Sequence, residues 1–171
     1  MVRGGIEEII HIIPLGYEFD RAVKPFEKMK AHRAYVITIA DSPKYGTPKE
    51  IGMNARQRSY DERVTKSLRE QGIRVTLVKI DIFDILEVMR AVSAIITLEK
   101  ADGNAVLINM SACGRLTSIG ATLAGMVHGV RIYYVRADEY SHTQSDETEH
   151  GLSIIRDVQV WTLSNFQLVM P

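Results

Sequence analysis

Ala105-Val106-Leu107-Ile108-Asn109-Met110-Ser111-Ala112-Cys113-Gly114-Arg115-Leu116 is the stretch on which the reading of this chain turns. Its first four residues form an apolar run that reads as a buried strand. Small polar residues follow, and then Leu116, Ile119, Gly120, Leu123, Ala124 and Val127 recur at helical spacing. A strand that breaks into a small-residue turn and resumes as a helix leaves the first N–H groups of that helix unpaired. The positive end of the helix dipole then faces whatever lies above the turn. Arg115 adds a fixed charge at the same mouth. Such a turn either holds a phosphate-bearing ligand or is an ordinary strand-to-helix connection, and these residues alone leave both readings open.

Outward from there the same alternation repeats. Residues 9–15 are apolar on both faces and read as a central strand, with His11 inside it as a core histidine bonded to backbone. Leu15-Gly16-Tyr17-Glu18-Phe19-Asp20 is a turn in which Gly16 allows close backbone approach or positive φ. Asp20 is a candidate N-cap for a helix over 21–30, where Pro25 fits only near the first turn. Residues 33–40 make a second strand. Residues 41–58 form a long irregular stretch whose Lys44, Lys49, Arg56 and Arg58 either cover a phosphate or belong to a solvated surface loop. Ser59-Tyr60-Asp61-Glu62 has capping-box form ahead of the stripe Tyr60, Val64 and Leu68, with Gly72 as the C′ residue.

Residues 73–80 read as the third strand. Asp81 then caps an apolar helix over 82–98 with Ile82, Ile85, Leu86, Met89, Val92 and Ile96 inward. That stripe is wide enough to touch a second surface, a subunit interface among the options. The helix of the opening stretch stops at His128-Gly129. Residues 130–136 are a fifth strand. The acidic stretch 137–150 reads as a mobile solvated loop in preference to a metal site, although it carries His142, Asp146 and His150. Residues 158–163 are a last strand at an edge, and 165–171 the beginning of a linker.

Composition narrows the function. The chain has 171 residues, enough for one domain with a real core. Its formal net charge is zero, which argues against holding nucleic acid by bulk electrostatics, so no direct DNA binding is expected of this piece. One cysteine, Cys113, permits no internal disulfide and makes a reducing cytoplasm the default compartment. No apolar run is long enough to span a membrane.

Strands alternating with helices mean βαβ units, a parallel sheet and helices on both faces. In such sheets ligands sit at the carboxyl ends of the strands where the order reverses. With order 3-2-1-4-5, the turns 15–20 and 109–115 face each other across one crevice. No G-x-G-x-x-G follows the first strand and no Walker sequence exists. Cys113-Gly114-Arg115 is too short for a cysteine-phosphatase cradle, and Ser111 is not in a G-x-S-x-G elbow. Cys113 at a helix start is either a thiol of lowered pKa or a small packing residue.

His11-Ile12-Ile13-Pro14-Leu15-Gly16-Tyr17-Glu18-Phe19-Asp20-Arg21 resembles the first strand and turn of CARF domains, the CRISPR-associated Rossmann fold sensors. It looks most similar to the N-terminal domain of archaeal CARF and winged-helix transcriptional regulators. Asn109-Met110-Ser111-Ala112-Cys113-Gly114-Arg115 resembles that family's second signature, an N-x-S-x-G-x-K-like turn before a small-residue helix. Cys113 stands where the pattern has glycine, with Gly114 one place later, and Arg115 stands where it has lysine. The resemblance runs over nearly the whole chain. It implies a Rossmann-like, doubly wound, mainly parallel α/β sheet with a C-terminal edge strand, a sensor domain over 1–164, and a linker toward a DNA-binding or effector domain absent from this chain.

It also implies a homodimer that binds a cyclic oligoadenylate or related nucleotide across its twofold axis, with no metal and no cofactor. The implied ligand-binding residues are Leu15, Gly16, Tyr17, Glu18 and Asp20 from the first turn. The second turn adds Asn109, Ser111, Ala112, Cys113, Gly114 and Arg115. Tyr17 either meets a base or ribose edge or simply packs. Two functions follow: a binding module of a CRISPR-associated transcriptional regulator, or a metal-independent ring nuclease with Ser111 and Arg115 as its catalytic residues.

Overall fold

The apolar runs become the strands of one sheet in the computed structural model, which describes residues 7–40 and 55–163. Strands β1 (Ile9–Pro14), β2 (Arg33–Ile39), β3 (Arg74–Ile80), β4 (Ala105–Asn109) and β5 (Arg131–Val135) are parallel, in the order β3-β2-β1-β4-β5. Two short strands, β6 (Glu139–Tyr140) and β7 (Ser153–Ile154), pair apart from it, and β8 (Val160–Leu163) closes the sheet antiparallel to β5. The expected order and edge strand are therefore the observed ones. Most of the 41–58 stretch, with Lys44 and Lys49, and the expected 165–171 linker lie outside the described residues.

Among the described residues the helices are α1 (Phe19–Val23), α2 (Ala55–Glu70), α3 (Ile85–Ala101), α4 (Arg115–His128) and α5 (Gln144–His150). One sheet face presents Ile10, Ile12, Ile108 and Ile132 to α3 and α4. The other presents Ile13, Leu15 and Val36 to α1 and α2. Both faces of β1 are covered, which is why its sequence shows no polar alternation. His11 is fully buried; its Nε2 donates to Lys30 O (3.1 Å), so Nδ1 accepts from Tyr133 Oη (3.0 Å). Burial lowers its pKa to about 4 and keeps the ring neutral.

Several local expectations are corrected. The helix expected over 21–30 is only α1 followed by a 3-10 turn at Lys24–Glu27, because Pro25 cannot continue it. Glu18, not Asp20, occupies the N-cap position of α1. Ser59 lies inside α2, a full turn after Ala55, so its capping-box form is accidental, although Tyr60, Val64 and Leu68 are buried and Gly72 takes φ +83° as expected. Asp84 caps α3, accepting from Leu86 N and Glu87 N, while Asp81 makes a local turn with Phe83 N. The buried stripe of α3 is Val88, Val92, Ile95 and Ile96, and Leu86 points outward. The acidic stretch 137–150 is no loose loop: it folds into β6 and α5, the latter with a Thr143–Asp146 capping box.

At the opposite end of the sheet from the two turns, Arg33 pairs bidentately with the buried Glu99 (2.8 and 2.6 Å) and with Glu8. Asn104 Nδ2 and Tyr35 Oη also donate to Glu99. Burial alone would raise the Glu99 pKa, but the bonds from Arg33, Tyr35 and Asn104 outweigh it and hold the carboxyl below its ordinary range. A lowered folded-state pKa gives stability that is full above the unfolded pKa and lost as pH falls through the folded one. Glu99→Gln is therefore expected to cost about 2–3 kcal/mol at neutral pH. It should also flatten the loss of stability as pH falls through and below the ordinary glutamate range, as read by urea unfolding over a pH series.

Candidate functional site

The strand order reverses between β1 and β4, and both strands run into their turns at the same end of the sheet. Gly16 N donates to Ala112 O at 2.8 Å. A methyl group on Gly16 would rest 3.4 Å from Cys113 Cα and 3.5 Å from Gly114 N. The turns are thus in van der Waals contact, as the crevice requires. Gly16 does not take a positive φ, so of its two possible roles only close approach applies.

Above that contact α4 begins without a cap. Gly114 is its N-cap residue, offers no side-chain acceptor, and the first turn contains no acid. Ser118 N returns to Gly114 O (2.9 Å), leaving the N–H groups of residues 115–117 ahead of the helical ladder. Arg115 is exposed and makes no ion pair among the described residues. An uncapped helix start beside a free guanidinium is suited to an anion, above all one with several phosphoryl oxygens.

Beneath it the polar residues of the second turn are spent on scaffolding. Asn109 Oδ1 accepts from Ser111 N (2.9 Å) and Ser111 Oγ (2.7 Å), while Asn109 Nδ2 donates to Arg21 O (2.8 Å). Ser111 Oγ accepts in turn from Val135 N (3.0 Å). Ala112 is fully buried. Burial, and next the Glu18 charge, push the Cys113 thiol up to about 12, so it is a packing residue and not a thiolate.

The first turn is held from the other side. Leu15 is core. The Tyr17 ring lies under Arg56 (Cζ 4.2 Å from its centroid) and against the edge of Tyr60 at 5.1 Å, which engages it in packing. Asp20 is buried; its carboxylate accepts from Ile155 N (3.0 Å) and faces His150 Nδ1 (3.0 Å) and Lys24 Nζ (3.1 Å). Glu18 accepts from Ser153 Oγ (3.1 Å) and faces Arg21 at 3.5 Å, while its second oxygen is buried without a partner among the described residues. Burial raises its carboxyl pKa against the pull of Arg21.

Gly16, Gly114 and Arg115 therefore stand at the mouth with Cys113 half-buried below, and Leu15, Asp20, Asn109, Ser111 and Ala112 lie in the framework. Sequence reasoning missed the strap over the first turn. Leu152 N donates to Tyr17 O (2.8 Å), and Gly151, at φ +84°, leaves no room for a Cβ against Phe19 N and Tyr17 O. The available signals were the Thr143-x-x-Asp146 box and the glycine just after His150. Gly151→Ala is expected to cost about 2–4 kcal/mol, from left-handed strain and collision together, as measured by thermal or urea unfolding.

A family model described as "HFX_2341_N:-like, N-terminal" matches residues 9–140. No curated protein matches the sequence. Among solved structures, Can2 from Sulfobacillus thermosulfidooxidans in complex with cyclic tetra-adenylate is similar at TM-score 0.60 and 10% identity, over 76% of this chain and 32% of that one. Protein VC1899 from Vibrio cholerae is similar at TM-score 0.57 and 15% identity, over 75% of this chain and 30% of that one. Enterococcus italicus Csm6 bound to cyclic hexa-2'-fluoro-hexa-dAMP is similar at TM-score 0.55 and 13% identity, over 84% and 37%. This chain spans about a third of the length of each of these proteins. At such identities the likeness is one of fold, and it is the fold that the CARF resemblance implied. Among the described residues no helix is long and apolar enough to cross a membrane.

Proposed function

Because the chain belongs to the HFX_2341_N:-like, N-terminal family, we propose that it is a ligand-sensing domain that binds a cyclic oligoadenylate at the seam of its two turns. The observation that carries this reading is the 2.8 Å bond from Gly16 N to Ala112 O, which joins both turns under one uncapped helix start. Two of the similar folds hold cyclic adenylate ligands, which supports the ligand class.

The ring is met by a homodimer in this reading. Leu116, Ile119, Leu123 and Val127 recur on one side of α4 and are all exposed. An apolar row of this kind on a surface helix fits an isologous contact with a second copy. Leu116 adjoins Arg115, so a twofold contact near that end of α4 brings two arginines and two helix starts to one symmetric ligand. Closure around the ring shifts the dimer, and a DNA-binding or effector domain reads the shift as part of a transcriptional regulator.

The sensor reading is preferred to the ring nuclease because Ser111 Oγ already donates to Asn109 and accepts from Val135 N. Incubation with labelled cyclic tetra- and hexaadenylate tests both. Retention of an intact ring supports the sensor. Linear products that vanish on Ser111→Ala or Arg115→Ala support the nuclease. No retention of either ring at micromolar protein overturns both.

A further inference from the structure

Among the described residues Arg21 is the one buried lysine or arginine, and it reaches a residue of each turn. It belongs to α1, is 8% exposed, and follows the first turn directly. Nη1 donates to Ser111 O of the second turn (3.3 Å) and lies 3.5 Å from Glu18 Oε1 of the first. Nη2 donates to Tyr134 Oη at 3.0 Å, and the guanidinium lies 5.2 Å from the centre of the Tyr134 ring. Tyr134 on β5 is the registered partner of Trp161 on β8, with ring centres 6.1 Å apart. A chain of contacts thus leads from both turns through one guanidinium to the antiparallel edge strand.

That chain is incompletely bonded. Arg21 Nε and Glu18 Oε2 are both buried without partners among the described residues, and the bond to Ser111 O is longer than usual. A buried charge with spare bonding capacity has more than one arrangement close in energy, and a ligand that displaces the Ser111 carbonyl favours one of them. We propose that Arg21 is the positioning residue through which occupancy of the crevice is transmitted by way of Tyr134 to Trp161 and strand β8. This rests on the nucleotide reading above and adds the route by which the bound state leaves the site.

Trp161 is the only tryptophan in the chain and is more than half exposed, so its emission reports on β8 directly. The full chain is titrated with cyclic tetraadenylate and cyclic hexaadenylate while emission and retention of labelled ring are followed together. In the unaltered chain the emission change is expected to saturate in step with retention. Tyr134→Phe keeps the ring but deletes the hydroxyl that Arg21 holds. It is expected to retain the ligand within about threefold of the unaltered affinity, less than the worth of one lost charged hydrogen bond, while losing half or more of the emission change. Arg21→Lys, which removes the fork that reaches both turns and Tyr134, is expected to lose more of the change. A full emission change in both variants overturns the relay, as does ring retention by the unaltered chain with Trp161 unmoved. Failure of the unaltered chain to retain either ring overturns the nucleotide reading, and the relay with it.

Discussion

Arg115→Ala is expected to lower the affinity for a cyclic oligoadenylate by about two to four orders of magnitude, since each hydrogen bond to a charged group contributes about 1.5–3 kcal/mol and a twofold site loses it twice. The side chain is exposed and has no ion pair among the described residues, so the thermal midpoint should stay where it is. Arg115→Lys keeps the charge and loses the planar fork, and should retain most of the binding. The unpaired N–H groups of α4 remain in both variants, so residual binding is the expected outcome, not none. Equilibrium titration of labelled ring against the three proteins, with thermal unfolding alongside, makes the comparison. An unchanged affinity in Arg115→Ala would remove the second turn from the site.

The other large effect is on assembly. Ile119→Asp or Leu123→Asp places a carboxylate in the exposed row of α4. A charge desolvated at the centre of an isologous contact appears twice and has no partner, so the variants are expected to run as monomers in sedimentation. Loss of the twofold site should then reduce ring affinity by roughly two orders of magnitude or more, because each subunit offers only half the donors. The fold itself should survive, since both positions face away from the core cluster. Identical sedimentation of variant and unaltered chain, with the ring still bound, would leave α4 outside the interface.

The same helix explains what the sequence makes legible. Its large apolar residues recur at helical spacing, and that suffices to find α4 and the strand before it. The pattern says nothing of which face is free. Here the small side chains go inward: a Cβ on Gly120 would lie 3.0 Å from Val88 Cγ1, and one on Gly125 would lie 2.8 Å from Ile108 Cδ1. Close packing on α3 and the sheet uses the glycine side and leaves the leucines outside. Ser59 shows the converse limit, since a capping motif is only four residues long and recurs inside helices by chance.

The two turns were findable because small residues after an apolar run are local features. The contact between them was findable because parallel topology restricts where the ends of β1 and β4 can go. What holds the turns was not findable. Asp20 and Glu18 look like mouth residues in sequence, yet their partners His150, Ser153 and Ile155 lie 130 to 135 residues downstream. Arg21 closes the first motif but carries no assigned role in sequence for the same reason: its meaning comes from Ser111 and Tyr134, each about a hundred residues away. Long-range polar contacts carry no periodicity for a linear reading to detect.

Native mass spectrometry of the unaltered chain with cyclic tetraadenylate and with cyclic hexaadenylate tests the central claim most directly. A nucleotide crevice shared by two copies predicts one intact ring on two chains for at least one of the two ligands, with the complex weakened in Arg115→Ala. Free chain at micromolar protein with either ring in excess, or a ring carried by a single chain and indifferent to Arg115, would contradict it.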